Sequence, residues 1–185
     1  MKDMNWDIVS SEYLMKRPWL TVRKDVVRLP DGRINPEFYV LEYPDWVNVV
    51  AITDDDRFVM IRQYRHGLRQ TRFEISAGVV EQGETMEEAA RRELLEETGY
   101  GGGTFEEIMT ISANASTTSN LTHCFVATGV KPMGERHLDA TEDIEVHVLS
   151  RDEVFGMLCR GEFAQATMVA PLWKYFYGKR CQSEG

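Results

Sequence analysis

In "WLTVRKDVVRL" apolar and polar positions alternate from Leu20, the period of a half-buried strand. "PDGR", Pro30 to Arg33, supplies a turn, and "EFYVLEY" returns from it, so the pattern predicts a β-hairpin. "YPD", Tyr43 to Asp45, interrupts the run. It sets a boundary between an N-terminal β subdomain over 1–45 and a larger domain over 46–180, with 181–185 as a tail. In that domain "VNVVAIT" and "RFVMIRQY" read as two buried strands around the acidic turn Asp54 to Asp56, and "FEISAG", Phe73 to Gly78, as a short strand. "FEEIMTIS" and "LTHCFVAT" follow as strands separated by the polar loop "ANASTTSN", and "IEVHVLS" is a further strand after the polar stretch Lys131 to Asp143.

Three stretches read as helices. Thr85 followed by Glu88 fits a capping box, and Gly99 stands where a left-handed cap ends a helix. Ser150 and Glu153 form a second capping box, closed by Gly161. A last helix is predicted over about Gln165 to Tyr177, kinked at Pro171 or starting there. Gly101 to Gly103 open a loop and lack the spacing of a nucleotide-binding GxGxxG turn. Strands and helices in this order predict an α+β fold, a mixed sheet packed between helices.

Composition narrows the chemistry. At 185 residues, with 43% apolar and 28% charged positions, the chain can bury a full core. No apolar run approaches the ~20 residues that cross a bilayer, and "MKDMNWDIVS" has no secretory pattern. A cytoplasmic protein without membrane contact is the expectation. The net charge of −9 disfavours a nucleic-acid partner held through phosphates. Cys124, Cys159 and Cys181 show no CxxC spacing and read as idle thiols. His66, His123, His137 and His147 show no metal spacing, although His147 falls where a strand residue is half-buried. Trp6, Trp19, Tyr39 and Trp46 suit ordinary packing or the stacking of a base.

The segment "GVVEQGETMEEAARRELLEETGY", Gly78 to Tyr100, concentrates seven glutamates. At ~3.6 residues per turn, Glu93, Glu96 and Glu97 share an arc of ~100°, and like charges so placed repel. Lysines at i+4, which would relieve the repulsion, are missing. The arc is either a solvated acidic face or a site for a hard divalent cation, Mg2+ or Mn2+, whose oxygen ligands these would be.

The spacing Gly78, Glu84, Arg92, Glu93, Leu94, Glu96, Glu97, Gly99, followed by Tyr100, resembles the Nudix box at every fixed position. The resemblance implies a Nudix α/β/α sandwich and a loop–helix–loop that binds metal against a pyrophosphate. Glu93 and Glu97 would be direct ligands, Glu96 a ligand or a catalytic bridge through water, and the carbonyl of Ala77 a further ligand. Arg92 would be structural, pairing with Glu84 to hold the loop, with Gly78 and Gly99 shaping its two ends. "VVRLPDGR", "VMIRQYR", "FEISAGVVEQGE" and "VHVLSRDEV" together resemble the ADP-ribose and nucleotide-sugar pyrophosphatases. That branch implies an N-terminal β-hairpin subdomain, often exchanged across a homodimer, and an acidic base in the loop before the last core strand.

Asp139, Glu142, Asp143 and Glu145 are the acids available there, and Glu142 fits best by its distance from "VHVLS". Arg62 and Arg65 suit phosphate or ribose oxygens, with Glu74 as the substrate-side acid retained in "EISAG". Relatives usually carry "ELPAG" there, and many have a proline loop where this chain reads "SANASTTSN". The implied reaction is metal-dependent hydrolysis of a nucleoside diphosphate derivative, ADP-ribose first and a nucleotide sugar such as GDP-mannose second. A nucleoside triphosphate hydrolase and a silent nucleotide sensor are the rivals. The N-terminal extension disfavours the first, and the complete set of box glutamates disfavours the second.

Overall fold

The structure, a computed structural model, describes residues 3–183, and the chain divides into two compact units. The first runs to Pro44 and includes Ser112–Asn120. Its three strands, β1 (Asp7–Arg17), β2 (Leu20–Arg28) and β3 (Ile34–Glu42), form an antiparallel meander in the order β1-β2-β3. β2 and β3 are the expected hairpin, turned at Gly32, whose φ of 88° suits glycine. β1 is an element that the hydrophobic pattern did not reveal. All eleven of its residues are exposed, so no face of it alternates inward.

Asp25, 2% exposed, is a buried charge in this unit. It accepts from Ser11 Oγ at 2.6 Å and Arg23 Nε at 2.8 Å. The Arg23 guanidinium holds its carboxyl below the usual carboxylate range. The loop 112–120 joins β3 through Leu41 N–H to Thr117 O at 2.7 Å and Ser119 N–H to Leu41 O at 3.1 Å.

The second unit carries β4 (Trp46–Thr53), β5 (Arg57–Arg65), β6 (Gln70–Glu74), β7 (Ser76–Val79), α1 (Met86–Thr98), β8 (Tyr100–Gly101), β9 (Thr104–Ile111), β10 (Thr122–Pro132), β11 (Ile144–Ser150), α2 (Arg151–Cys159) and α3 (Ala166–Ser183). β4 and β10 run parallel, and the other pairs are antiparallel, so the sheet is mixed. β4 explains its own near-continuous apolar run, because both its faces are covered. Val47, Val49 and Ala51 pack with Ala89, Ala90 and Leu94 of α1. Val50 and Ile52 pack with Val154 and Leu158 of α2 and Met168, Leu172 and Phe176 of α3. One helix covers one face and two cover the other, giving the expected α/β/α sandwich.

Two details differ from the sequence expectation. The segment read as one strand, Phe73 to Gly78, is broken at Ile75. β4 and β5 pair directly only at Ala51 with Val59 and Ile52 with Phe58, then splay apart. β6 pairs with β5 and β7 with β4, so the chain changes partner as it crosses the gap. α3 is also longer than expected and holds Pro171 inside it, not at its start. A proline there leaves the carbonyl four residues earlier, that of Thr167, without its helical donor. Asn48 Nδ2, from the middle of β4, donates to that carbonyl at 2.7 Å. Residues 181–183 of the expected tail belong to α3, while Glu184 and Gly185 lie outside the described residues. Among the described residues no helix is long and apolar enough to cross a membrane.

Candidate active site

α1 begins and ends as its caps dictate. Thr85 Oγ1 accepts from Glu88 N–H, and Glu88 Oε2 accepts from Thr85 N–H at 2.8 Å. Gly99 closes the helix at φ 75° and donates to Leu95 O. Ala89, Ala90 and Leu94 seat the helix on the sheet, which turns the Glu93–Glu97 edge toward β7. Side chains alternate along that strand. Ser76 and Gly78 lie opposite Val49 and Val47 in register, on the α1 face.

The fit at this edge is close. A Cβ placed on Gly78 would lie 2.0 Å from Glu93 Cδ, so the carboxylate occupies the space a side chain would fill. One turn on, Glu97 is 3% exposed, and its Oε2 accepts from Ala77 N–H at 3.1 Å. Burial pushes the Glu97 carboxyl up to about 8, against the nearby Ser76 hydroxyl and the Ala77 N–H, which favour its charged form. Burial raises Glu93 too, with Arg92 opposing.

Arg92 ties the box together. Its Nε and Nη2 donate to the two oxygens of Glu84 at 2.7 and 2.9 Å, and Nη2 also reaches Val79 O at 2.9 Å. Nη1 donates to Glu93 at 2.8 Å and to Glu96 at 3.1 Å. Glu96 is the outermost of the three acids.

Glu142 lies in the loop between β10 and β11. Its Oε2 accepts from Asp139 N–H at 2.9 Å, and its own N–H donates to Asp139 O at 2.9 Å, closing a tight turn. That loop is held to α1 by Met133 N–H to Gly99 O at 2.8 Å and His137 N–H to Glu96 O at 3.0 Å. The negative charge of Glu142 contributes to raising Glu93 and Glu97 and favours the charged form of Arg65, so the structure brings it into the acidic group. Asp139 and Asp143 are exposed.

The two arginines of "IRQYR" part company. Arg65 donates to Glu74 through Nε at 3.0 Å and Nη2 at 2.6 Å, and Glu74 is 3% exposed. Burial opposes the Arg65 charge and Glu74 outweighs it, so the guanidinium stays firmly protonated. Arg62 stands in register with Phe73, which packs on the α2–α3 side. It is therefore turned away from α1, and its Nη1 pairs with Glu145 at 2.9 Å. The structure joins Arg65 and Glu74 to the site and leaves Arg62 on the other face. Half-buried His147 lies there too, its ring 5.1 Å from that of Phe73.

Sequence reasoning passed over Ser76. Its side chain is fully buried, and its hydroxyl has no hydrogen-bond partner among the described residues. Counting back by two from Gly78 along the strand would have placed it on the α1 face.

These residues fit a hard divalent cation. The donors are carboxylates and a main-chain segment, and a buried Glu97 crowded by Glu93 and Glu142 is relieved by positive charge. Among the described residues no three acidic groups converge at ligand spacing, and Arg92 Nη1 engages both Glu93 and Glu96.

The NUDIX domain family matches residues 42–170. The chain belongs to the Nudix family. A second family, described as the nucleoside diphosphate sugar hydrolase N-terminal domain, matches residues 6–41 of this Nudix hydrolase. An ADP-ribose pyrophosphatase of Bacillus subtilis (strain 168) is 29% identical over 159 residues, 85% of each chain. A protein named methanol dehydrogenase activator, from Bacillus methanolicus, is 32% identical over 146 residues, 78% of each chain. Among solved structures, that of an ADP compounds hydrolase matches the Nudix fold here with a TM-score of 0.85 over 98% of both chains, at 24% identity.

Proposed function

We propose that this Nudix hydrolase cleaves the pyrophosphate bond of a nucleoside diphosphate derivative with Mg2+ or Mn2+, ADP-ribose giving AMP and ribose 5-phosphate. The observation that carries the reading is the pair Glu93 and Glu97, pressed against the main chain of Gly78 and Ala77 with Arg92 as the cation beside Glu93. Glu93, Glu97, Glu96 and the Ala77 carbonyl are the groups that would hold the cation. A divalent ion bound there neutralises the diphosphate and lowers the pKa of an attacking water.

The protein's own part is positioning and proton handling. Arg92 fixes the Glu84 loop against α1, so the ligand carboxylates keep their spacing. Glu142, exposed and acting through its charge on both Glu93 and Glu97, would take the proton of the water. Arg65, held by Glu74, presents a fixed positive charge toward an anionic substrate.

The names of the relatives support ADP-ribose as the substrate. The match of residues 6–41 favours a nucleotide sugar such as GDP-mannose as a second reading. The same proposal includes a cytoplasmic location and a homodimer, the latter supported by the apolar side chains that β1 exposes, Ile8, Val9, Tyr13, Leu14 and Met15 among them.

A panel of nucleoside diphosphate derivatives and triphosphates, incubated with Mg2+ and read by phosphorus NMR, tests the function. AMP with ribose 5-phosphate from ADP-ribose supports it. Turnover confined to triphosphates, releasing pyrophosphate, overturns it.

A further inference from the structure

Ser76 is the first residue of β7. It lies on the α1 face of β7, opposite Val49 and one residue from the main-chain N–H that holds Glu97. Its side chain is fully buried, and Oγ makes no hydrogen bond among the described residues. The hydroxyl nevertheless lies near enough to Glu97 to favour the charged form of that carboxylate. A buried hydroxyl without a partner is costly and rare. The carboxylate that Ala77 N–H holds one residue along, Glu97, is the acceptor on the same face of β7.

We propose that Ser76 is a positioning residue, whose hydroxyl donates to one oxygen of Glu97 when a divalent cation is bound and leaves the other oxygen directed at the cation. The inference rests on the metal-dependent reading above and goes beyond it, since the box itself contains no such donor. Two donors, Ala77 N–H and Ser76 O–H, then fix the carboxylate from the sheet side. Outer-shell hydrogen bonds of this kind set ligand orientation and typically carry about 10- to 100-fold in metal affinity.

Mn2+ binding, followed without substrate by the electron paramagnetic resonance of the free ion, reads this directly in the full chain. Wild type, Ser76→Ala and Ser76→Cys are compared, with a thermal melt of each to show that it folds. Cysteine preserves volume and loses the strong donor. The expected result is weaker Mn2+ binding in both variants, by about tenfold or more. Loss in Ser76→Ala with wild-type affinity in Ser76→Cys assigns the residue to packing and overturns the proposal, as does unchanged affinity in both. If Ser76→Ala does not fold, Ser76→Cys alone decides by the same criterion. Absence of Mn2+ binding by the wild type would count against the metal site itself, a different failure from that of Ser76.

Discussion

The carboxylate of Glu93 fills the space above Gly78 that any other residue's Cβ would need, at a Cβ–Cδ separation of 2.0 Å. Glycine at this point of β7 is therefore a condition for the position of Glu93. The atoms in conflict are the far end of a flexible side chain, so the fold can yield. Gly78→Ala is expected to melt within a few degrees of wild type, yet to lose about 100-fold or more in Mg2+-dependent hydrolysis, the scale on which misplaced groups cost rate. Paired thermal melts and initial rates check this.

Glu97 links stability to pH. An unfolded glutamate titrates near 4.5, whereas folded Glu97 keeps its proton up to about 8. Between those values the folded chain binds more protons than the unfolded one. Its metal-free stability therefore falls as pH rises through that window, by up to about 1.4 kcal/mol per unit from this one group. Stability from this source is fully present below 4.5 and lost above about 8. Denaturant titrations of metal-free protein across the window should show the decline, and Glu97→Gln should flatten it.

Asn48 and Pro171 form a pair that a double-mutant cycle can isolate. Asn48→Ala removes the donor to Thr167 O and is expected to cost about 1–3 kcal/mol. Pro171→Ala restores a helical N–H to the same carbonyl, so in that background the Asn48→Ala cost should shrink. Equal costs in both backgrounds, measured by urea unfolding, would show that the two residues act independently.

Glu142→Gln separates proton transfer from cation binding. The expected outcome is a fall in kcat of about 100-fold or more with Mn2+ affinity kept near wild type. A variant with unchanged kcat would remove Glu142 from the chemistry.

The box was legible in the sequence because its determinants are local. Capping residues three apart, a glycine at the helix end and acids on one arc fix α1 and its charged edge without knowledge of the rest of the fold. The opposite fates of Arg62 and Arg65 were also written in the sequence, since residues three apart on a strand face opposite sides. Other features depend on distant partners. β1 exposes every residue and so leaves no periodic trace. The change of strand partner at Ile75 follows from the splay of β4 and β5, which no short window of sequence encodes. Pro171 sits inside α3, where the donor missing at Thr167 O comes from Asn48, 119 residues earlier in the chain.

The central claim is that the acidic edge of α1 binds a divalent cation. A Mn2+ titration of wild type, Glu93→Gln and Glu97→Gln, with and without a non-hydrolysable ADP-ribose analogue, measures it most directly. Binding by the wild type, tightened by the analogue and lost in both variants, is the expected result. A wild type that takes up no Mn2+ even with the analogue present, or variants that bind as the wild type does, would contradict it.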